Sequence, residues 1–204
     1  MTHIHIETDR LIIRPSELAD AAVVNAAIQA SAVPLRAWMP WANPLPTVEQ
    51  TTEYLRGAIE RTTQDKEYHL HVFTREGVFV GCNGLHTVDW RIPRAEIGYW
   101  LDQRHTGRGY AQESAAALTD FATTVIGLRR IQILVSDKNH ASWRIPERLG
   151  YPLEGIHRWD RINPDGQRDH TRVYAIINDN PKPAEPWGQI HRRACGMSPV
   201  RVEH

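Results

Sequence analysis

The fold is decided by the stretch Arg104-His105-Thr106-Gly107-Arg108-Gly109-Tyr110-Ala111, a glycine-containing turn between a predicted strand and a predicted helix. The N-terminus of a helix carries backbone N–H groups without partners and a partial positive charge, and both favour a bound anion. Arg104 and Arg108 add charged donors on the same turn. The stretch therefore predicts a pyrophosphate site, although the two glycines alone would also suit an ordinary strand-to-helix turn.

The sequence on either side of this turn predicts a sheet that is crossed by one helix. Period-two runs at 68–74, 78–88 and 95–101 predict three antiparallel strands. After the turn, residues 111–126 place apolar side chains at helical spacing up to Gly127, and residues 130–135 form a short apolar run. Together they predict a strand–helix–strand crossover that starts from the strand ending at Leu101.

The N-terminal third predicts one strand and two helices. Residues 4–14 predict a strand interrupted near Thr8-Asp9, and residues 16–30 a helix with Ser16 as its N-cap. Thr47 opens a capping box, which predicts a second helix to about residue 63. Residues 33–46 contain four prolines and two tryptophans, so a structured loop without regular helix or strand is expected there.

The C-terminal third predicts a helix, a hairpin and a tail. The helix spans 139–149, and Pro146 inside it lacks the N–H that would bond the carbonyl of Ser142, so we expect a kinked or short helix. Runs at 151–161 and 171–177 predict a hairpin. Periodicity ends after residue 178, so the sequence predicts a domain over 1–178 and a mobile, proline-containing tail over 179–204.

Composition argues against several classes of function. The chain has 24 Lys and Arg against 24 Asp and Glu, so no overall positive charge favours nucleic acid or an anionic membrane. Cys82 and Cys195 lie far apart and resemble reduced thiols, and no apolar stretch approaches the ~20 residues of a membrane span. No signal peptide pattern opens the chain, so a cytoplasmic location is expected. The His3/His5 and His69/His71 pairs lack further ligands at suitable spacing, so no metal site is expected.

The motif and its surroundings resemble the GNAT superfamily of acyl-CoA-dependent N-acetyltransferases, whose pyrophosphate motif is Gln/Arg-x-x-Gly-x-Gly/Ala. Residues 104–109 match each fixed position, the strand 95–101 is similar to the family strand, and a second family-like block follows at 139–151. Residues 7–14, 38–41 and 153–155 resemble the RimJ/RimL group, which acetylates the N-termini of ribosomal proteins. The resemblance covers about residues 7 to 178.

This resemblance implies an α/β (α+β) fold and a site for acetyl-CoA as cosubstrate. The expected sheet is central, mixed and mostly antiparallel, has seven strands flanked by four helices, and splays between strands 4 and 5. Acetyl-CoA would lie in the splay between the strand ending at Leu101 and the strand at 130–135, with backbone N–H groups facing its thioester carbonyl. The residues that the resemblance implies for its binding are Tyr99, Trp100, Leu101, Arg104, His105, Thr106, Gly107, Arg108, Gly109, Tyr110, Ala111 and Asn139.

Three residues are candidates for catalysis. Glu96 is the first candidate for the base because family members often carry a glutamate on this strand; the alternative is a carboxylate paired with Arg91 or Arg94. Asp160 is the second, by resemblance to RimL-type enzymes. An α-amino group has a pKa near ~8, so a water path could also suffice. Pro146 stands where many family members have a tyrosine acid, and the resemblance offers Ser142 instead; the alternative for Asn139 and Ser142 is helix capping.

The acceptor is less determined by the sequence. Trp38, Trp41 and Trp90 occupy predicted loops, where aromatic side chains either contact a ligand or cover a small part of the core. The leading hypothesis is transfer of acetyl by direct attack of an α-amino group of a protein N-terminus or peptide-like substrate. The alternatives are acetylation of a small-molecule amine (antibiotic or toxin) and a CoA-binding module without turnover, which Pro146 would favour. A homodimer is implied by resemblance alone.

Overall fold

The computed structural model describes residues 4–188 and residue 190. Within them the strands are β1 (Ile6–Glu7), β2 (Leu11–Pro15), β3 (Tyr68–Thr74), β4 (Phe79–Asp89), β5 (Arg94–Leu101), β6 (Arg130–Ser136), β7 (Leu153–Ile162) and β8 (Arg168–Ile177). The helices whose bounds fall within them are α1 (Ala21–Ala30), α2 (Ala32–Trp38), α3 (Val48–Thr63), α4 (Tyr110–Asp120) and α5 (His140–Arg148). A π-helical turn, Phe121–Ile126, continues α4 and ends at Gly127.

The strands form a single mixed sheet in the order β1-β2-β3-β4-β5-β6-β8-β7, and its pairs are antiparallel except β5–β6. The expected fold class is confirmed. The expected counts of seven strands and four helices are corrected to eight strands and five helices with described bounds. The opening strand folds back on itself, because the turn at Thr8 bonds the Leu11 carbonyl and pairs Ile6 with Ile13.

The parallel β5–β6 ladder is short, and this creates an opening in the sheet. Only Arg94, Ala95 and Glu96 pair with β6, opposite Arg130, Ile131 and Gln132. Beyond Glu96, β5 stays paired with β4 as far as Leu101, while β6 stays paired with β8 as far as Ser136. The two strands therefore part beyond Glu96 and Gln132, which is the expected splay, and they leave their facing backbone edges unpaired.

Residues 16–46 differ from the expected helix and loop. Ser16 is buried and bonded to His69 rather than capping a helix, and a 3-10 turn at Leu18–Asp20 precedes α1. The expected irregular loop contains α2, which tolerates Pro34 because the first N–H groups of a helix have no intrahelical acceptor. No single helix of the described chain is long and apolar enough to cross a bilayer; Leu18–Ala30 and Ala32–Trp38 pass that test together but are bent by 83°.

Helices cover both faces of the central strands. One cluster packs α1 and α2 against β4 through Val24, Ile28, Leu35, Phe79 and Cys82. The main core lies on the α4 side and joins β2–β6 to α4 and its π-helical turn. β3 and the first seven residues of β4 are almost continuously buried as a result. This burial fixes the position of β5, the strand next to the opening.

The chain continues in contact with the domain for some residues beyond the predicted boundary at residue 178. The backbone N–H of Glu185 bonds the Ile126 carbonyl, Trp187 packs against Phe121, and the Gly188 N–H bonds Asp65. A Cβ at Gly127 would lie 2.9 Å from the Lys182 carbonyl oxygen, so this segment fits closely against the end of the α4 region. The rest of the predicted tail, 189 and 191–204, lies outside the described residues.

Candidate active site

The glycine-containing stretch forms a tight turn into α4. After β5, the buried Asp102 accepts a hydrogen bond from the N–H of Arg104 and caps a 3-10 turn at Gln103–His105. Gly107 and Gly109 then take φ of +75° and +82°, a left-handed conformation that side chains with a Cβ disfavour. Gly109 is the N-cap of α4 and supplies no side-chain cap, so the first N–H groups of the helix face outward without a side-chain acceptor.

The two arginines of the turn have different surroundings. Arg104 is held by the Asp102 carboxylate, with Nε 2.9 Å from Oδ2, although its side chain is 57% exposed. Burial alone would raise the pKa of Asp102, but the hydrogen bonds from Arg104 outweigh it and lower that pKa. Arg108 is exposed beside the turn. The turn therefore offers one oriented guanidinium and one exposed guanidinium next to the helix N-terminus.

Sequence reasoning missed Arg10 as a support of this turn. Arg10 Nη1 donates to the Arg108 carbonyl at 3.0 Å, and its guanidinium lies 4.9 Å above the centroid of the Tyr110 ring. Arg10 Nε also donates to Glu113, which accepts a further hydrogen bond from Thr8. The only sequence signal is opposite charge across about a hundred positions, and spacing rules do not detect it.

Ser142 and Tyr99 meet across the opening between β5 and β6. Tyr99 Oη donates to the Ser142 carbonyl at 3.1 Å and accepts from Ser142 Oγ at 3.2 Å. Burial raises the pKa of Tyr99 to about 12 even though the hydrogen bond from Ser142 lowers it. Asn139 is the N-cap of α5 and accepts from the Ser142 N–H at 3.2 Å, so the capping alternative describes its resting contact.

This arrangement shows how α5 accommodates Pro146. The helix runs without a break from His140 to Arg148. Pro146 cannot bond the Ser142 carbonyl, and the Tyr99 hydroxyl supplies the missing donor. Sequence reasoning assigned Tyr99 a backbone role only, because nothing local reveals that its side chain reaches α5.

Glu96 lies where the strands part, opposite Gln132. Burial raises the pKa of Glu96, although a hydrogen bond from Gln132 and the charge of Arg161 lower it. Among the described residues no cation lies within ion-pair distance of Glu96, and Arg91 pairs with Asp89 instead. The alternative in which Glu96 pairs with Arg91 or Arg94 is therefore not observed. His86 is the cross-strand neighbour of Glu96.

A cavity of about 460 Å³ lies beside the stretch of β5 that has left β6. Its lining combines apolar and uncharged polar side chains from α1, α3, β3, β4, β5 and the segment before α3: Val24, Ile28, Met39, Trp41, Pro46, Gln50, Thr51, Tyr54, Leu55, His69, Cys82, Asn83, His86, Gly98, Tyr99 and Trp100. Gly98 leaves room for the His86 ring, which would lie 3.0 Å from a Cβ added there. The cavity therefore borders the segment at which the resemblance places the thioester.

Of the residues predicted to contact the acceptor or to act as the second candidate base, one lines the cavity. Trp41 lines the cavity, whereas Trp38 is not part of its lining. Trp90 is outside the cavity lining; its Nε1 donates to the Asp65 carbonyl and its ring packs against the main core. Asp160 lies exposed on the edge strand β7, 3.8 Å from His157 and outside the cavity lining.

The predicted cofactor residues other than Asn139 lie on one continuous segment of chain from β5 to the start of α4. Tyr99, Trp100 and Leu101 occupy the part of β5 beyond the splay, and the 104–111 stretch follows directly. Thr106 donates to the Gln103 carbonyl, while His105 Nδ1 is buried without a hydrogen-bond partner in the described chain. His69 and His86, which the sequence did not single out for the site, join the cavity from β3 and β4.

Known proteins share this sequence pattern and fold. Residues 10–152 match the Acetyltransferase (GNAT) domain family. Probable N-acetyltransferase YjcK of Bacillus subtilis is 32% identical over 134 residues, which cover 65% of this chain and 74% of that protein.

Two solved structures have the same architecture at lower identity. A RimL ribosomal L7/L12 α-N-protein acetyltransferase in complex with coenzyme A superposes with a TM-score of 0.81 at 21% identity, covering 86% of this chain and 99% of that chain. The microcin C7 self-immunity acetyltransferase MccE, in complex with acetyl-CoA and AMP, gives 0.78 at 19% identity, covering 84% and 94%. The family match spans most of the chain and includes the glycine turn, the splayed strands and the start of α5, so the chain belongs to the GNAT family of N-acetyltransferases.

Proposed function

We propose that this chain transfers the acetyl group of acetyl-CoA to the α-amino group of a protein N-terminus or peptide-like substrate. The observation that carries the proposal is one continuous segment of chain that joins the cavity to the α4 N-terminus. The 460 Å³ cavity is lined by Gly98–Trp100 on the part of β5 that has left β6, and this strand leads through the glycine turn to the uncapped first N–H groups of α4.

The residues present fit acetyl-CoA as a substrate. The N–H groups at the start of α4, with Arg104 and Arg108, suit a pyrophosphate. The facing edges of β5 and β6 offer unpaired backbone donors and acceptors to the amide groups of a pantetheine arm. Asn139, at the start of α5, would contact the same arm.

Direct attack requires a neutral amine, support for the oxyanion and support for the leaving thiolate. The amine nitrogen bonds to the thioester carbon, and backbone N–H groups near Tyr99–Leu101 support the oxyanion that forms. Glu96 takes the amine proton through water, and its raised pKa makes it a better base than an ordinary carboxylate. The C–S bond then breaks, and the thiolate accepts a hydrogen bond from the Ser142 hydroxyl. Tyr99 keeps its proton because its pKa is about 12.

A small-molecule amine is the second candidate acceptor. It is supported by the fold shared with the microcin C7 self-immunity acetyltransferase and by a cavity that is large for a small N-terminal side chain. A CoA-binding module without turnover remains the alternative that Pro146 favours. A cytoplasmic location, supported by the buried free thiol of Cys82, and a homodimer belong to the same proposal.

The test is an acceptor screen read by mass spectrometry. The protein is incubated with acetyl-CoA and with peptides, aminoglycosides and aminoacyl conjugates, and we expect a 42 Da gain, the mass of one acetyl group, on α-amines of peptides. Acetylation confined to small amines would favour the second candidate. Calorimetric binding of CoA with no thiol release across the panel would contradict turnover.

A further inference from the structure

The acceptor cavity has a preorganised aromatic wall. Trp41 stands at its mouth, 46% exposed, with its ring centroid 6.2 Å from that of Trp100. Trp100 in turn lies 6.0 Å from Phe79, whose ring is buried against His71 and Phe73. Each ring is therefore held by the next, and the wall presents a large apolar surface at low conformational cost.

The polar groups of the cavity are uncharged at neutral pH. No Asp, Glu, Lys or Arg belongs to its lining as far as the chain is described. Burial lowers the pKa of His86 and lowers that of His69 to about 3, so both imidazoles are neutral. Ser16 Oγ donates to the His69 carbonyl and also lies 2.6 Å from His69 Nδ1.

The size of the cavity exceeds what a small N-terminal residue would fill. At ~30 Å³ per water, 460 Å³ corresponds to about fifteen waters. A methyl or hydroxymethyl side chain would leave most of this space hydrated against apolar walls. A charged side chain would lose its hydration without meeting an opposite charge.

We infer that the natural acceptor is an amine that carries a bulky uncharged group, aromatic or branched aliphatic, which fills the cavity behind Trp41. The inference rests on the proposed function, since it takes the cavity beside Gly98–Trp100 as the acceptor site. It goes further by naming the chemical class of the acceptor, and it separates this chain from enzymes whose acceptors begin with small or hydroxylated residues. Trp41 is the residue that sets this preference.

The experiment compares acceptors that differ only in the group next to the amine. Initial rates of CoA release are measured with tetrapeptides beginning with Phe, Leu, Ala, Ser, Lys or Asp, and with phenethylamine against ethylamine. We expect kcat/KM for the Phe and Leu peptides to exceed that for the other four by tenfold or more. Trp41→Ala should reduce the Phe-to-Ala ratio at least fivefold. Trp159→Ala, which removes a tryptophan that is 69% exposed on β7, should leave that ratio unchanged.

The outcomes separate this inference from the proposed function. Equal rates for Ser, Ala and Phe peptides, or an unchanged ratio in Trp41→Ala, overturn the inference while transfer to peptides stands. Acetylation of phenethylamine over ethylamine without acetylation of any peptide supports the inference and overturns the peptide proposal. If no amine is acetylated, calorimetry with the CoA-loaded protein decides: tighter binding of phenethylamine than ethylamine, lost in Trp41→Ala, supports the inference, and equal binding overturns it.

Discussion

The two halves of the site are built in different ways. The cofactor half is one continuous segment, 104–111, that acts through backbone N–H groups and left-handed glycines. The acceptor half is a cavity whose lining comes from six separate parts of the chain and acts through side chains. A site built from backbone groups can therefore be identified from a short motif, whereas a site built from side chains appears only after folding.

The largest expected effect is on the cofactor half. Gly109→Val places a β-branched side chain at φ +82° at the N-cap of α4, with its Cβ 3.4 Å from Arg10 Nη2, so the turn is strained where it should bind the pyrophosphate. We expect CoA affinity measured by calorimetry to fall more than about 100-fold, which is the effect of losing two to three charge-assisted hydrogen bonds.

Gly166→Val is the matched control for that substitution. Gly166 has φ of +81° in the β7–β8 turn, and nothing lies within 4 Å of a Cβ added there. Both variants should lose a similar ~1–2 kcal/mol of folding free energy from the left-handed conformation. Equal loss of CoA affinity in the two variants, or retained affinity in Gly109→Val, would remove the turn as the pyrophosphate site.

The junction of the two halves is tested by Glu96→Gln. Glu96 acts as a base when ionised, so kcat at saturating acceptor should fall as the pH drops through its raised pKa. We expect the variant to lose about 100-fold in kcat and to lose this acidic limb. An unaltered pH profile of kcat would exclude Glu96 as the base.

Stability provides the control for Glu96. Because burial raises the pKa of Glu96 above its unfolded value, the folded state binds its proton more tightly, and stability falls as the pH rises through that raised pKa. Glu96→Gln should therefore not lower Tm at neutral pH. Glu53→Gln, at an exposed position on α3, should change neither kcat nor its pH profile.

The hydroxyl contact between Tyr99 and α5 is tested by a double-mutant cycle. Tyr99→Phe leaves the Ser142 carbonyl without a donor, which should cost about 1–3 kcal/mol, a fall in Tm of several degrees. In a Pro146→Ala background the backbone N–H of residue 146 can bond that carbonyl, so the cost should shrink by about 1 kcal/mol. Tyr68→Phe, whose hydroxyl bonds Asp65, should show no coupling to Pro146→Ala. Additive effects of Tyr99→Phe and Pro146→Ala would show that the Tyr99 hydroxyl does not replace the missing backbone N–H of residue 146.

A structural feature could be predicted from the sequence when it depends on residues that are close together in the chain. The strand periods, the capping box at Thr47 and the 104–111 turn predicted their elements closely, because each depends on neighbours within a few residues. The prolines of 33–46 led to the wrong prediction that this segment has no helix, because Pro34 occupies a helix start, where no N–H is needed. Trp90 was expected at the acceptor, but its loop carries it to the end of α3. Pro146 indicated that the Ser142 carbonyl would lack its helical donor. Tyr99 donates to that carbonyl from 43 positions away, so it could be identified as the partner only in the fold.

A change of charge in the acceptor half should have the weakest effect. Gln50 lines the cavity and accepts from the Thr47 N–H at 2.9 Å in the α3 capping box. Glutamate serves equally well at this position, and its charge suits a helix N-terminus, so Gln50→Glu should keep or slightly raise Tm. The new carboxylate should attract the side-chain ammonium of a peptide that begins with Lys. The ratio of kcat/KM for the Lys peptide to that for the Phe peptide should therefore rise about fivefold at low salt, corresponding to ~1 kcal/mol at a partly exposed site. Added salt should reduce this rise.

Gln64→Glu makes the same charge change at the other end of α3, outside the cavity lining, and should leave the ratio alone. A rise in both variants would mean that net charge, rather than the cavity wall, selects the acceptor.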